Sequence, residues 1–172
     1  MGCNVGCQVK NEIPCNAIAT DNHPGAAQCD FNWISDEISR LRDDGYLVIF
    51  TFQHREYYTY TAQPNLVYDF GQVAAAGASI VSGSQAHQPH GFAFDDDAFI
   101  HYGLGNLFFD QFHFCAGYAC DDAFIDQHVF YDGQYISTEL ITIRFADLAR
   151  PRLMTPEERS RFLEIIFNAS GW

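Results

Sequence analysis

The side chains best suited to chemistry in this chain lie in three short stretches. In Ile80-Val81-Ser82-Gly83-Ser84-Gln85-Ala86-His87-Gln88-Pro89-His90-Gly91-Phe92, an apolar β-type run stops at a glycine and two imidazoles follow, three residues apart. Gln53-His54-Arg55-Glu56-Tyr57 begins where another apolar run ends, and Gly103-Leu104-Gly105-Asn106 follows a third. Imidazoles and carboxylates act as general acids and bases or hold divalent metals, and both tasks need the groups fixed at one place. Strand-end loops of α/β folds supply such places, because the sheet holds them still and ligands gather outside the carboxyl ends of its strands. The paired imidazoles His87 and His90 point to metal ligation. Glu56 and His54 point to acid–base work beside it.

Each of these residues also has a plain structural reading. His87 can hydrogen-bond neighbouring backbone, His54 can be a partly exposed loop residue, and Glu56 can pair with Arg55. Asn106 fits a left-handed or Asx turn. Tyr57, Tyr58 and Tyr60 can stack on a sugar, or form core and rim. His101, His113 and His128 read as structural.

The elements that must position these residues follow from periodicity. Trp33, Ile34, Ile38 and Leu41 recur at helical spacing, which predicts an amphipathic helix over about 31–44, capped by Asp30 or Asn32 and ended by Gly45. Residues 46–52 form a continuous apolar and β-branched run, the pattern of a buried strand. Pro64 opens a second helix that stops at Gly77, and 79–82 is the next strand. Helix and strand alternating through short connections imply parallel neighbours at the heart of the domain. Asp95-Asp96-Asp97 reads as a solvated turn, 98–102 as a strand, and 110–124 as an aromatic loop. Asp132-Gly133 joins 128–131 to 135–145 in a hairpin, since Asp-Gly supplies the positive φ of a tight turn. Thr155-Pro156-Glu157-Glu158 caps a terminal helix over 155–168, with Phe162, Leu163, Ile166 and Phe167 on its apolar side.

Composition narrows the function classes. A formal net charge of −13, with Lys10 the only lysine, opposes nucleic acid or an anionic membrane surface as partner. No apolar run approaches the roughly 18–20 residues of a membrane span, and the first residues carry no signal-peptide pattern. Six cysteines do not make a disulfide scaffold of this length. Cys3, Cys7, Cys15 and Cys29 lack the paired spacing of a zinc site. Cys115 and Cys120 can close a small disulfide loop or remain buried thiols. No nucleophile elbow, Walker loop or dinucleotide fingerprint is present.

Taken in order, three blocks resemble the CapA-type capsule and poly-γ-glutamate synthesis family, which has the calcineurin-like metallophosphoesterase fold. Gln53-His54-Arg55-Glu56-Tyr57 is similar to the end of that family's H-W-G-x-E-Y block. Ala76-Gly77-Ala78-Ser79-Ile80-Val81-Ser82-Gly83 with Gln85-Ala86-His87 is similar to D-A-G-A-D-x-V-x-G-H-H-P-H. Tyr102-Gly103-Leu104-Gly105-Asn106-Leu107-Phe108-Phe109-Asp110 is similar to Y-S-L-G-N-F-x-F-D. The resemblance spans roughly 31–146.

It implies one CapA-like domain over 1–172: a loop-rich opening over 1–30, a core over 31–146, and the terminal helix. It implies an α/β fold forming part of a layered α-β-β-α sandwich with mixed sheets, a C-terminal β-hairpin and a final helix. It also implies a cleft with Glu56 and His54 as catalytic candidates and His87 as metal ligand. Gln53, Tyr57, Ser84, Gln85, His90 and Asn106 are further cleft candidates.

The departures carry equal weight. Of the family's G-H-H-P-H only His87 remains, Ser84 and Gln85 being poor metal ligands, and the leading histidine of H-W-G-x-E-Y falls at Phe52. The family's earlier aspartate, G-D and N-N-H blocks have no counterpart before Cys3, so the chain is expected to be N-terminally truncated. The expected function is association with synthesis of a capsule or poly-γ-glutamate type envelope polymer, through a degenerate phosphoesterase-like cleft. The alternative is an active metal-dependent phosphoesterase using Mn, Fe or Zn. The expected partner is an anionic or sugar-like envelope polymer or its precursor, and the expected location is the cell envelope.

Overall fold

A computed structural model of the chain describes residues 1–5, 18–108, 115, 117–147 and 150–172. Cys7, Lys10, Cys15 and His113 lie outside these residues. Eleven elements are formed: β1 (Gly2–Asn4), α1 (Phe31–Asp43), β2 (Ile49–Gln53), α2 (Pro64–Ala75), β3 (Ile80–Ser84), β4 (Phe92–Asp95), β5 (Ala98–His101), β6 (Asp122–Tyr131), β7 (Gln134–Ala146), β8 (Arg150–Leu153) and α3 (Pro156–Ala169). One sheet has the order β1-β2-β3-β5-β4 and the other the order β6-β7-β8. Strands β1, β2, β3 and β5 run parallel, and β4 returns antiparallel through the turn at Asp96, whose φ is +49°. The second sheet is antiparallel throughout. The fold class is therefore α/β with mixed and antiparallel sheets, a long hairpin and a terminal helix, as expected.

Local chemistry explains most of these elements. The Asp30 carboxylate accepts from the backbone N–H groups of Asn32 and Trp33 at 3.1 and 3.2 Å, satisfying two donors that the first turn of α1 leaves over. Ile34 and Ile38, one turn apart, are that helix's buried residues. Gly77 adopts φ +109° and ends the turn after α2. Asp132 and Gly133, at φ +49° and +74°, make the tight turn between β6 and β7. Thr155 and Glu158 form a reciprocal capping box on α3.

The sheet separates two cores. On one side Phe50, Phe52, Val81 and Ile100 meet Ile34 and Ile38 of α1 and Leu66, Phe70 and Val73 of α2. Phe52 and Phe70 stack with ring centroids 4.5 Å apart. On the other side Ile80, Phe92 and Phe99 meet Phe124 of β6 and Phe162 and Ile166 of α3. Each fully buried Phe removes apolar surface worth about 1.5–3 kcal/mol. At the far end of the chain, the Ser170 hydroxyl accepts from the Phe92 N–H at 2.9 Å and donates to the Ile166 carbonyl at 2.7 Å.

One expectation changes. The strand anticipated over 46–52 begins only at Ile49, and it is covered on one face alone: Phe50 and Phe52 are buried, whereas Ile49, Thr51 and Gln53 are exposed. A continuous apolar run does not reveal that the second layer reaches β3 but stops short of β2. The loop-rich opening supplies one short strand, β1, which its sequence allows. The N-terminal ammonium donates to the Ile49 carbonyl at 2.8 Å, and a disulfide joins Cys3 to Cys29, ahead of α1.

Candidate functional site

The parallel strands end on one edge, at Asn4, Gln53, Ser84 and His101, and the loops leaving β2, β3 and β5 converge there. Gly83 does not stop the strand. It is an interior residue of β3, and glycine is required because a Cβ there would lie 2.1 Å from the Tyr102 carbonyl oxygen and 2.7 Å from its carbon. The turn comes two residues later at Gln85, whose φ is +80°. Gln53 Nε2 donates to Gln85 Oε1 at 2.6 Å on the exposed rim, and the Ser84 hydroxyl donates to the Phe52 carbonyl at 3.0 Å. Both contacts lash the β2 and β3 ends together.

His87, Glu56 and Asn106 come together at this edge, one from each loop. Asn106 is buried, and its Nδ2 donates to the Cys120 carbonyl at 3.1 Å. A carbonyl only accepts, so the other end of the amide, Oδ1, is the one that faces His87 Nδ1 at 2.6 Å. His87 therefore donates from Nδ1 and turns Nε2 toward Glu56 Oε1, 3.7 Å away. Glu56 Oε1 is shielded from solvent and accepts no hydrogen bond. The ion pair with Arg55 expected as the plain reading of Glu56 is not formed. Nor is Asn106 merely a turn residue.

Tyr58 completes the carboxylate's surroundings. Burial, with the neighbouring Glu56 carboxylate, pushes its phenol up to about 12. The Tyr58 ring packs on Tyr118 at 4.6 Å between centroids. Tyr118 is half exposed and lies in the loop closed by a disulfide between Cys115 and Cys120. That disulfide was one of the two sequence alternatives.

The other candidates have different partners. His54 is buried and bonds Asp69 of α2 through Nε2 at 2.8 Å, with Nδ1 left without a partner. Burial pulls its imidazole below the ordinary value, against the opposing pull of Asp69. It borders a cavity of about 230 Å³ that also touches Val5, Cys29, Arg55 and Asn65. His90 is fully buried, bonds the Thr59 carbonyl through Nδ1 and is likewise pulled down by burial. It faces inward, out of a ligand's reach. Tyr57 accepts from Asn65 Nδ2 at 2.9 Å.

His101 and Asp126 form a buried pair at 2.7 Å between the two sheets, and His128 meets Thr138 at 2.8 Å. Sequence reasoning missed Asp69 and Tyr118, whereas Tyr58 was marked as one of three tyrosines able to stack on a sugar. Asp69 leaves one signal: it is the sole charged residue in α2, and a lone charge in an apolar helix needs a partner.

A two-ion phosphoesterase centre does not fit these residues. Among the described residues no three His, Cys, Asp or Glu side chains converge. His87 and Glu56 offer one imidazole and one carboxylate, and the Asn106 amide is committed at both ends. Such a centre needs several ligands per ion.

Fold and site together define an α/β protein in which Glu56, His87 and Asn106 meet at the carboxyl ends of parallel strands, one from each of three strand-end loops. The profile of the bacterial capsule synthesis proteins, PGA_cap, matches residues 7–111, and the chain belongs to that family. The match takes in all three loops, and the resemblance read from their motifs is borne out. A search of curated proteins found no match.

Proposed function

We propose that this chain serves capsule synthesis by holding a segment of the polymer, or its precursor, in the strand-end cleft, with Glu56 and His87 as polar contacts and Tyr118 as a stacking surface. The observation that carries this reading is the composition of the cleft. One imidazole, one shielded carboxylate and a half-exposed phenol suit recognition of a hydroxyl-bearing ring better than a two-ion hydrolysis. A net charge of −13 favours a neutral, sugar-like segment over a polyanion such as poly-γ-glutamate. The Cys3–Cys29 and Cys115–Cys120 disulfides support work in an oxidising compartment of the cell envelope.

The test is metal analysis of the purified chain, aryl phosphate turnover, and calorimetric binding of neutral hexose oligosaccharides against poly-γ-glutamate. The expected result is oligosaccharide binding lost in Tyr118→Ala, with no turnover. Stoichiometric Mn, Fe or Zn with turnover would overturn it in favour of a metal-dependent phosphoesterase.

A further inference from the structure

The loop between Cys115 and Cys120 touches the cleft twice, through different atoms. Its Cys120 carbonyl fixes the Asn106 amide, and that amide fixes which nitrogen of His87 carries the proton. Its Tyr118 ring packs on Tyr58, which follows Glu56 by two residues in the loop after β2. His87 and Glu56 face each other at 3.7 Å, so the two arms that leave this small loop, one through Asn106 and one through the Glu56–Tyr58 segment, meet at one place. The chain on the site side of those arms comes from residues 56–58, 87 and 106, far from the cysteines in sequence. Six residues closed on themselves by a disulfide have few conformations, so the Cys120 carbonyl and the Tyr118 ring are presented together. Both sulfur-bearing residues are buried, at 4% and 6% exposure, so the closed form is protected once made.

We propose that the Cys115–Cys120 disulfide is the positioning element that assembles the cleft, so that His87 and Glu56 take up their working arrangement only after this pair is oxidised. The step is thiol–disulfide exchange during folding. One cysteine thiolate attacks an external disulfide and forms a mixed disulfide, and the other thiolate displaces the external sulfur. Two protons and two electrons leave the pair, and the external disulfide departs as a dithiol. Asn106 and Tyr58 are positioning residues in this scheme, acting through His87 and Glu56. The proposal rests on the reading of the cleft as the working site, but its primary readout does not require a ligand.

The experiment compares the full chain with its C115A/C120A and C115S/C120S variants, and with C3A/C29A as a control at the other disulfide. Long-range imidazole ¹H–¹⁵N spectra report the tautomer of His87 directly. The parent and C3A/C29A are expected to show His87 protonated at Nδ1, and both 115/120 variants to show a mixture of tautomers while the signals of buried His54 and His90 stay in place. Binding of a neutral hexose oligosaccharide should weaken at least tenfold in the same two variants only. An unchanged His87 tautomer in a folded 115/120 variant overturns the proposal. So does failure of both variants to fold, because the bond would then serve the whole fold rather than the cleft. Absence of oligosaccharide binding in the parent, with the tautomer shift intact, rejects the proposed function and leaves the positioning role standing.

Discussion

Replacing Gly83 by alanine tests whether the close approach of β3 to the chain after β5 sets the cleft. The added Cβ would sit 2.1 Å from the Tyr102 carbonyl oxygen, 2.7 Å from its carbon and 3.1 Å from Phe70 Cζ. An ordinary contact begins near 3.4 Å, so backbone must move by about 1.3 Å (3.4 less 2.1). The Phe70 ring cannot absorb this, because it is fully buried and stacked on Phe52. Overpacking of a dense interior costs about 1–3 kcal/mol, and a clash with backbone belongs at the upper end. At roughly 2–4 °C per kcal/mol for a chain of this size, the melting temperature should fall by about 5–10 °C.

The same substitution at Gly71 is the internal control. Gly71 lies inside α2 with nothing within 4 Å of its Cβ position, so Gly71→Ala should stabilise by about 0.5–1 kcal/mol. Thermal and urea denaturation of both variants decides the matter. If Gly83→Ala melts within about 1 °C of the parent, or moves in the same direction as Gly71→Ala, the close-approach account is wrong.

Three further outcomes are expected. His54, His90 and His128 are each pulled below the ordinary imidazole value by burial, so the unfolded chain binds protons more readily than the folded one. Their contribution to stability is therefore full above about pH 6.5 and is lost as pH falls through their folded values, with a slope of at most ~1.4 kcal/mol per pH unit for each. Urea titrations from pH 8 to pH 5 should show this slope shrink in His128→Gln, and an unchanged slope would refute the assignment. Asp126→Leu leaves the fully buried His101 Nδ1 without its acceptor and should cost about 1–3 kcal/mol by chemical denaturation, whereas a neutral result would show that the pair is dispensable. Thr155→Ala and Glu158→Ala each break the capping box, at about 1 kcal/mol for the threonine, and the double variant should cost clearly less than the sum because both hydrogen bonds belong to one motif.

What could be read from the sequence was whatever depends on neighbours in the chain. The cap at Asp30, the stop at Gly77, the Asp132-Gly133 turn and the Thr155 box are each settled within four residues, and each lies where expected. The terminal helix likewise buries Phe162 and Ile166 of its four predicted apolar residues most deeply. What could not be read depends on which strand lies beside which. Gly83 looks like a turn residue until Tyr102 is known to press against it. Ile49 looks buried until the second layer is seen to end at β3. Cys3 and Cys29 looked unrelated because their 26-residue separation carries no spacing rule, and it is the bridge between Asn4 and Gln28, with the Cys29 N–H donating to the Asn4 carbonyl at 3.1 Å, that brings them together.

The site divides in the same way. Glu56 and His87 were marked by their positions after strand ends, and the structure brings them within 3.7 Å. Neither Asn106 as the residue that orients His87 nor Tyr118 as the packing partner of Tyr58 could be anticipated, since both contacts pass through the carbonyl or ring of a loop distant in sequence. His90 was misleading for the opposite reason. Three-residue spacing from His87 suggested a pair, but the intervening turn sends one ring toward the cleft and the other into the core.

The hydrogen bond from the Phe92 N–H to Ser170 spans 78 residues and joins the end of the chain to the segment that follows the His87 loop. A contact between residues so far apart in sequence closes a long loop, so the segment after the His87 loop settles only once α3 has docked, and such contacts slow the approach to the native state.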